Sequence, residues 1–131
     1  MTRFVLICFG GAVGTGARYL LGGLAVRWLG PDFPYGTMFI NVLGSFLIGT
    51  IQQVGLTTLW IPETLRLVLA IGVMGGFTTY SSFSYETIRL VEAGSWAAAA
   101  AYVGLTTGLC LGGCTAGLAL GRLLVEGKGG W

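Results

Sequence analysis

Three long stretches of this sequence contain no charged residue, and this feature constrains the fold more than any other. They cover residues 33–62, 67–85 and 93–121 and are 30, 19 and 29 residues long. A helix needs roughly 20 mostly apolar residues to cross the hydrocarbon core of a bilayer. A fourth stretch, residues 4–26, has the same character apart from one charge, Arg18. The sequence therefore predicts four transmembrane helices.

The composition excludes a soluble domain. Only 9% of the residues are charged and the mean hydropathy is +0.82, whereas about a quarter of the residues in a soluble domain are charged. The net charge of +2 is too small to indicate a nucleic-acid partner, and we expect none. The three cysteines all lie in apolar stretches, where we interpret them as packing residues. A two-thiolate metal site at Cys110 and Cys114, which share a helix face, is the alternative.

Helix-breaking residues and interfacial tryptophans set the expected helix ends. Trp28, Trp60 and Trp96 each lie near the end of an apolar stretch, where transmembrane proteins concentrate tryptophan. We predict helices over residues 4–28, 36–58, 64–92 and 95–124. Residues 1–131 would then form a single four-helix transmembrane domain, an all-α fold with membrane lipid as its surroundings.

The third predicted helix carries an unusual segment in its middle. Residues 75–84 contain two glycines and five serine or threonine residues. Irregular backbone inside a bilayer is tolerated only where protein or a water-lined cavity surrounds it. The segment therefore predicts that the third helix is broken mid-span and that the break marks a functional site. An unbroken helix with a small packing face is the alternative.

The distribution of basic residues predicts little preference for one orientation in the membrane. Four helices place both termini and the connection between the second and third helices on one side, which carries Arg3, Arg66, Arg122 and Lys128; the other side carries Arg27 and Arg89. Such a small bias permits insertion in both orientations, and the 24 glycines favour assembly. Because four short helices hardly enclose an aqueous path, we expect a homodimer with the path at its interface, and the small bias permits an antiparallel, dual-topology arrangement of it.

Two polar residues lie inside the first and second predicted helices, where each is a candidate for function. Arg18 either attracts an anion near a vestibule or ties helix ends together through backbone carbonyls. Asn41 offers two amide N–H donors, with Thr37 one turn away on the same face. These donors suit a small anion that must later leave. Interhelical hydrogen bonding is the alternative role for Asn41.

The third predicted helix adds aromatic and acidic candidates. Tyr80 and Phe83 share a helix face beside the hydroxyl residues, and the positive edge of an aromatic ring can contact an anion. Ordinary packing is the alternative role for this pair. Glu86 lies where the apolar stretch ends, as either a protonatable group facing the interior or a solvated helix end.

Residues 75–86, Gly-Gly-Phe-Thr-Thr-Tyr-Ser-Ser-Phe-Ser-Tyr-Glu, resemble the signature segment of the Fluc/CrcB family of fluoride channels, Gly-Gly-x-Thr-Thr-Phe-Ser-Thr-Phe-Ser-x-Glu. Residues 36–44 and 14–18 resemble the second-helix and first-helix segments of that family. The likeness covers essentially the whole chain. Tyr80 departs from the phenylalanine usual in the family, and Ser82 replaces a threonine.

The resemblance implies a channel, not an enzyme, that exports fluoride passively across the bacterial plasma membrane (the inner membrane). It implies a dual-topology homodimer with two pathways and a central structural Na⁺, held by the backbone carbonyls of Gly75 and Thr78. It also implies a fluoride pathway lined by Thr37, Asn41, Tyr80, Ser81, Ser82, Phe83, Ser84, Glu86 and Tyr102.

Two other functions are compatible with four small helices. A proton-coupled exporter similar to the small multidrug transporters needs a carboxylate deep in the first helix, where this chain has Arg18 and no acidic residue. A non-transporting assembly subunit would leave the hydroxyl-rich third helix without a purpose. Liposome efflux separates the three functions: the channel predicts passive fluoride flux, the exporter predicts proton-coupled drug flux, and the assembly subunit predicts neither.

Overall fold

The computed structural model of the protein describes residues 1–127, and the regular structure in that part is entirely helical. The first, second and fourth predicted helices are α1 (Thr2–Leu29), α2 (Tyr35–Thr57) and α6 (Trp96–Glu126). The third consists of α3 (Glu63–Leu67), a π-helical segment (Val68–Val73), α4 (Met74–Phe77) and α5 (Tyr80–Glu92). Lys128, which the charge distribution included, lies outside the described residues.

Four parts of the described chain are long and apolar enough to cross a membrane: Thr2–Leu29, Tyr35–Thr57, Glu63–Glu92 and Trp96–Glu126. Each predicted helix end lies within two residues of the observed one. The expectation of an all-α, multi-pass membrane protein is therefore confirmed.

Two glycines with positive φ close the turns at one end of the molecule. Gly30 (φ 84°) ends α1, and its N–H donates to the Val26 carbonyl at 3.0 Å. Gly94 (φ 75°) lies between α5 and α6, and its N–H donates to the Val91 carbonyl at 2.9 Å. Glycine adopts this left-handed conformation without steric cost. Both turns therefore reverse the chain within a few residues.

Close backbone contacts join the helices in two pairs. Along α2 and α6, a Cβ atom on Gly117 would meet the Phe46 carbonyl oxygen. Between α1 and the third span, a Cβ atom on Gly14 would meet the Val73 carbonyl oxygen, and one on Gly76 that of Gly11. The glycine spacing does bring helix backbones together, as small residues do in membranes. At these positions, however, the contacts lie within one chain, whereas the sequence analysis assigned the glycines to assembly between chains.

The π-helical segment lies beside α1. A Cβ atom on Gly10 would lie 2.9 Å from the Val68 carbonyl oxygen and 3.3 Å from the Val73 backbone nitrogen. One on Gly72 would lie 2.6 Å from the Ile7 carbonyl oxygen. A π-helical segment has a wider backbone than an α-helix. In the third span, this wider segment packs directly against the backbone of α1.

A small apolar core lies under the middle of the third span. Ile40, Met74 and Phe77 are buried and pack together. By contrast, α1 and α6 expose many large apolar side chains, among them Phe9 (70%) and Leu111 (67%). These faces are available to lipid or to a second chain.

Candidate functional site

Two extended residues separate α4 from α5. Thr78 has φ −79° and ψ 157°, and Thr79 has φ −153° and ψ 110°. The Thr78 N–H and hydroxyl both donate to the Met74 carbonyl at 2.9 Å, which closes α4. The Thr79 hydroxyl accepts a bond from the Ser82 N–H at 3.2 Å, the arrangement of an N-cap. Thr79 is therefore the N-cap of α5, which begins at Tyr80.

Asn41 of α2 holds the extended backbone in place. The Thr79 N–H donates to Asn41 Oδ1 at 2.8 Å, and Asn41 Nδ2 donates to the Thr79 carbonyl at 3.1 Å. One amide thus satisfies both backbone polar groups of Thr79, which would otherwise be costly to leave unpaired in a membrane. An asparagine amide has a second N–H, so a donor remains beside this backbone.

Arg18 makes a similar contact from α1. Its Nε donates to the Gly76 carbonyl at 3.0 Å, and the Thr15 hydroxyl lies 3.5 Å from the same oxygen. Of the two roles considered for Arg18, this contact corresponds to the second, in which the side chain binds a backbone carbonyl of another helix. Arg18 also lines a cavity of about 810 Å³ together with Arg27 and Thr79.

Glu86 accepts hydrogen bonds from two other helices. The Thr37 hydroxyl of α2 donates to Oε1 at 2.8 Å, and the Tyr102 hydroxyl of α6 donates to Oε2 at 2.7 Å. Tyr102 is completely buried. Of the two positions considered for Glu86, the structure therefore shows the one facing the interior.

A row of aromatic rings leads from the extended backbone to this carboxylate. The ring centroids of Tyr80 and Phe83 are 5.5 Å apart, and those of Phe83 and Tyr102 are 5.2 Å apart. Phe33 contacts Tyr102 edge-on at 5.5 Å. Phe83 is buried, whereas Tyr80 is 80% exposed in the single chain. Phe33 was not predicted, because it lies outside the helices in sequence.

The hydroxyl residues of the third span have different surroundings. The Thr79 hydroxyl lies 3.2 Å from that of Ser81 and 3.1 Å from that of Ser82, so the three form one cluster. The Ser84 hydroxyl donates to the Tyr80 carbonyl at 2.9 Å within its own helix. Thr79, which the sequence analysis did not propose for the pathway, is thus the centre of this cluster.

Thr106 of α6 is a further polar residue that sequence reasoning missed. It is 4% exposed, and its hydroxyl has no hydrogen-bond partner among residues 1–127. With Asn41, Tyr80 and Phe83 it lines a cavity of about 350 Å³ between α2, the third span and α6. The sequence feature that could have identified Thr106 is its position four residues after Tyr102, because residues four apart lie on one helix face.

Oxygen atoms of the backbone are the available cation ligands near the helix interruption. Within the described residues, no group of three or more His, Cys, Asp or Glu side chains could hold a metal ion. No hydrogen bond to the Gly75 or Thr78 carbonyl oxygen occurs in that same part of the chain. A Cβ atom on Gly75 would meet nothing within 4 Å. Backbone carbonyl oxygens without a hydrogen-bond partner are chemically suited to a hard cation such as Na⁺.

Comparison with known proteins identifies the family. Residues 5–118 match the family described as CrcB-like protein, Camphor Resistance (CrcB). The fluoride-specific ion channel FluC of Anaeromyxobacter dehalogenans is 55% identical over 124 residues, 95% of this chain and 98% of the relative. That of Anaeromyxobacter sp. strain K is 58% identical over 85% and 88% of the two chains. That of Geobacter sulfurreducens is 47% identical over 95% and 100%. The chain therefore belongs to the CrcB family.

Proposed function

We propose that the protein is a fluoride-selective channel through which fluoride leaves the bacterial cell passively across the inner membrane. The observation that carries this proposal is the line of hydrogen-bond donors and ring edges inside an otherwise apolar bundle. It runs from Asn41 and Thr79, past Phe83, to the Tyr102 and Thr37 hydroxyls. The names of the relatives, fluoride-specific ion channels, support the same function.

Dehydration is the main barrier for fluoride, because it is a small and strongly hydrated anion. Removing an ion from water is costly unless the protein supplies replacement contacts. Here these are the second N–H of Asn41, the hydroxyls of Ser81 and Ser82, and the ring edges of Tyr80 and Phe83, whose hydrogens carry partial positive charge. Such neutral donors bind an anion less tightly than a full charge would, so the ion can leave again.

Glu86 holds two further donors of the line, the Thr37 and Tyr102 hydroxyls, in place. Thr37 and Tyr102 both direct their hydroxyls at its carboxylate. An anion that reaches this point needs the same two donors, and it therefore competes with the carboxylate for them. In this proposal Glu86 keeps the donors aligned while the pathway is empty and yields them to the passing ion. The chemistry is transport, with no bond made or broken.

The proposal includes an antiparallel, dual-topology homodimer. Tyr80 belongs to the aromatic row and is 80% exposed in the single chain, so a second chain is needed to enclose this side of the path. The near balance of basic residues between the two sides allows both orientations. The interruption at Thr78 and Thr79 would then break the third span at the dimer centre. Two symmetric pathways follow from this arrangement.

A central Na⁺ is the last part of the proposal. The unpaired carbonyls of Gly75 and Thr78 would hold it, together with the same atoms of the second chain. When bound, the ion supplies positive charge that offsets the repulsion between the anions of two nearby pathways. The residues of this chain provide only its oxygen ligands, and the hydroxyl of Thr78, which is bonded to Met74, takes no part.

Fluoride efflux from liposomes tests the proposed function. Purified protein is reconstituted into vesicles loaded with potassium fluoride, and external fluoride is followed with an electrode after valinomycin is added. We expect rapid fluoride release that depends on valinomycin, since a passive anion flux needs a compensating potassium flux. Vesicles loaded with potassium chloride should release no chloride. Release equal to that of protein-free vesicles would reject the proposal.

A further inference from the structure

A cavity of about 430 Å³ opens at the end of the molecule where α1 leads to α2 and α5 leads to α6. Its walls include the connection from Gly30 to Pro34, Thr37 of α2, and Glu86 and Arg89 of α5. Thr37 and Glu86 are the hydrogen-bonded pair at the end of the donor line. This space, which we call the mouth cavity, therefore lies at the end of the donor line.

Among residues 1–127, three charged side chains line the mouth cavity: Asp32, Glu86 and Arg89. Glu86 already accepts two hydrogen bonds, whereas Asp32 is exposed and forms no ion pair among residues 1–127. Arg89 lies 3.3 Å from Glu92 on the surface of α5, with 64% and 60% of the two side chains exposed. Arg89 lines the cavity and Glu92 does not, so of this pair it is the guanidinium that stands at the cavity wall.

We propose that Arg89 attracts the permeating anion into the mouth cavity and that Asp32 opposes it, so that this pair sets the rate of anion entry. The proposal rests on the fluoride channel function proposed above. Without Arg89, the charged side chains of residues 1–127 that line the cavity would both be carboxylates, whose field repels anions. Charges in a cleft with low-dielectric walls act strongly on the local ion concentration. Arg89 therefore lowers the electrostatic barrier that Asp32 and Glu86 present to an anion entering the mouth cavity.

The ordinary role of Arg89 would be structural. A cation in the last turn of a helix, as in α5, interacts favourably with the helix dipole. A structural role predicts that replacing Arg89 lowers stability and that replacing Asp32 does not raise flux. An electrostatic role predicts opposite effects for the two residues, both removed by salt. Flux as a function of ionic strength separates these roles.

The experiment measures initial fluoride efflux from liposomes at about 10 mM and about 1 M of an impermeant salt, where the Debye lengths are roughly 30 Å and 3 Å. At low salt, Arg89→Gln should reduce the flux roughly two- to fivefold, the effect of one charge a few ångströms away in a water-like medium. Asp32→Asn should raise it by a similar factor, and Arg89→Lys should match the wild type. The differences should nearly vanish at high salt.

Arg3→Gln is the matched control. Arg3 also forms an exposed ion pair, with Glu63 at 3.4 Å, and neither residue lines the mouth cavity. Its flux should equal that of the wild type at both salt concentrations. Wild-type flux in Arg89→Gln at low salt, or equal losses at low and high salt, would overturn the inference while fluoride conduction stands. Absence of fluoride flux in the wild type would overturn the proposed function and the inference with it.

Discussion

Gly75 and Gly76 are neighbours in α4 but differ in what a side chain would meet. A Cβ atom on Gly75 has nothing within 4 Å in the single chain. One on Gly76 would collide with the Gly11 carbonyl oxygen and lie 3.0 Å from Thr15 Oγ1. The single chain therefore explains a glycine at position 76, whereas no contact among residues 1–127 requires one at position 75.

The two positions should respond oppositely to substitution. Gly76→Ala forces α1 away from α4, and overpacking of this kind costs about 1–3 kcal/mol. Gly75→Ala creates no such contact, and alanine is favoured over glycine inside a helix by roughly 0.5–1 kcal/mol. The folded single chain should thus be weakened by the first change and unharmed by the second. Gly75→Val should also fold, yet it should lose dimer assembly or fluoride flux because the side chain enters the proposed interface.

Four measurements check this reasoning. Helix content by circular dichroism and unfolding in denaturing detergent report on the single chain, size-exclusion chromatography reports on the dimer, and liposome efflux reports on function. Thr78→Ser is the control, because the proposed ligand there is the backbone carbonyl and serine keeps the hydroxyl bond to Met74. A Gly75→Val protein that forms dimers and conducts like the wild type would refute the proposed dimer centre at this glycine.

Three further predictions follow from the polar contacts and the charge balance. Asn41→Asp replaces the amide donor, which lies 3.1 Å from the Thr79 carbonyl oxygen, with an acceptor. We expect fluoride efflux to fall at least tenfold while the dimer persists on chromatography. Unchanged efflux would mean that Asn41 has a packing role only. Tyr102→Phe removes one of the two hydroxyls directed at Glu86 and leaves Oε2 without this donor. Efflux should fall several-fold, with a loss of about 1–3 kcal/mol in stability. Wild-type efflux would exclude that hydroxyl from the pathway. A protease-cleavable tag at the C-terminus should be cut from both sides of the membrane in comparable amounts, and cleavage from one side only would contradict dual topology.

The fold was largely predictable because a bilayer imposes simple rules on sequence. Charge-free stretches of about 20 residues mark the spans, and breakers such as Gly30 and Pro34 mark their ends. The π-helical segment at Val68–Val73 was not predictable, because its sequence, Val-Leu-Ala-Ile-Gly-Val, is typical of an ordinary apolar helix. Its position follows from the contact with α1, which depends on the tertiary arrangement.

The candidate site was predictable by residue type more than by contact. Polar residues in an apolar span single out Asn41, Arg18 and Glu86 whatever their partners are. Their partners depend on how the helices are aligned: Asn41 binds the backbone of Thr79, and Arg18 binds the carbonyl of Gly76. No periodicity along a single helix contains that information, so the sequence could not show that both side chains hold the same segment.

The central claim is selective, passive conduction of fluoride, and the reversal potential across a planar bilayer tests it most directly. With a tenfold fluoride gradient and equal chloride on both sides, we expect the current to reverse at about 59 mV, the value for a univalent ion that alone carries charge. Exchanging the gradient for one of chloride should bring the reversal potential to zero. No current, or a reversal potential that follows chloride or the proton gradient, would contradict the claim.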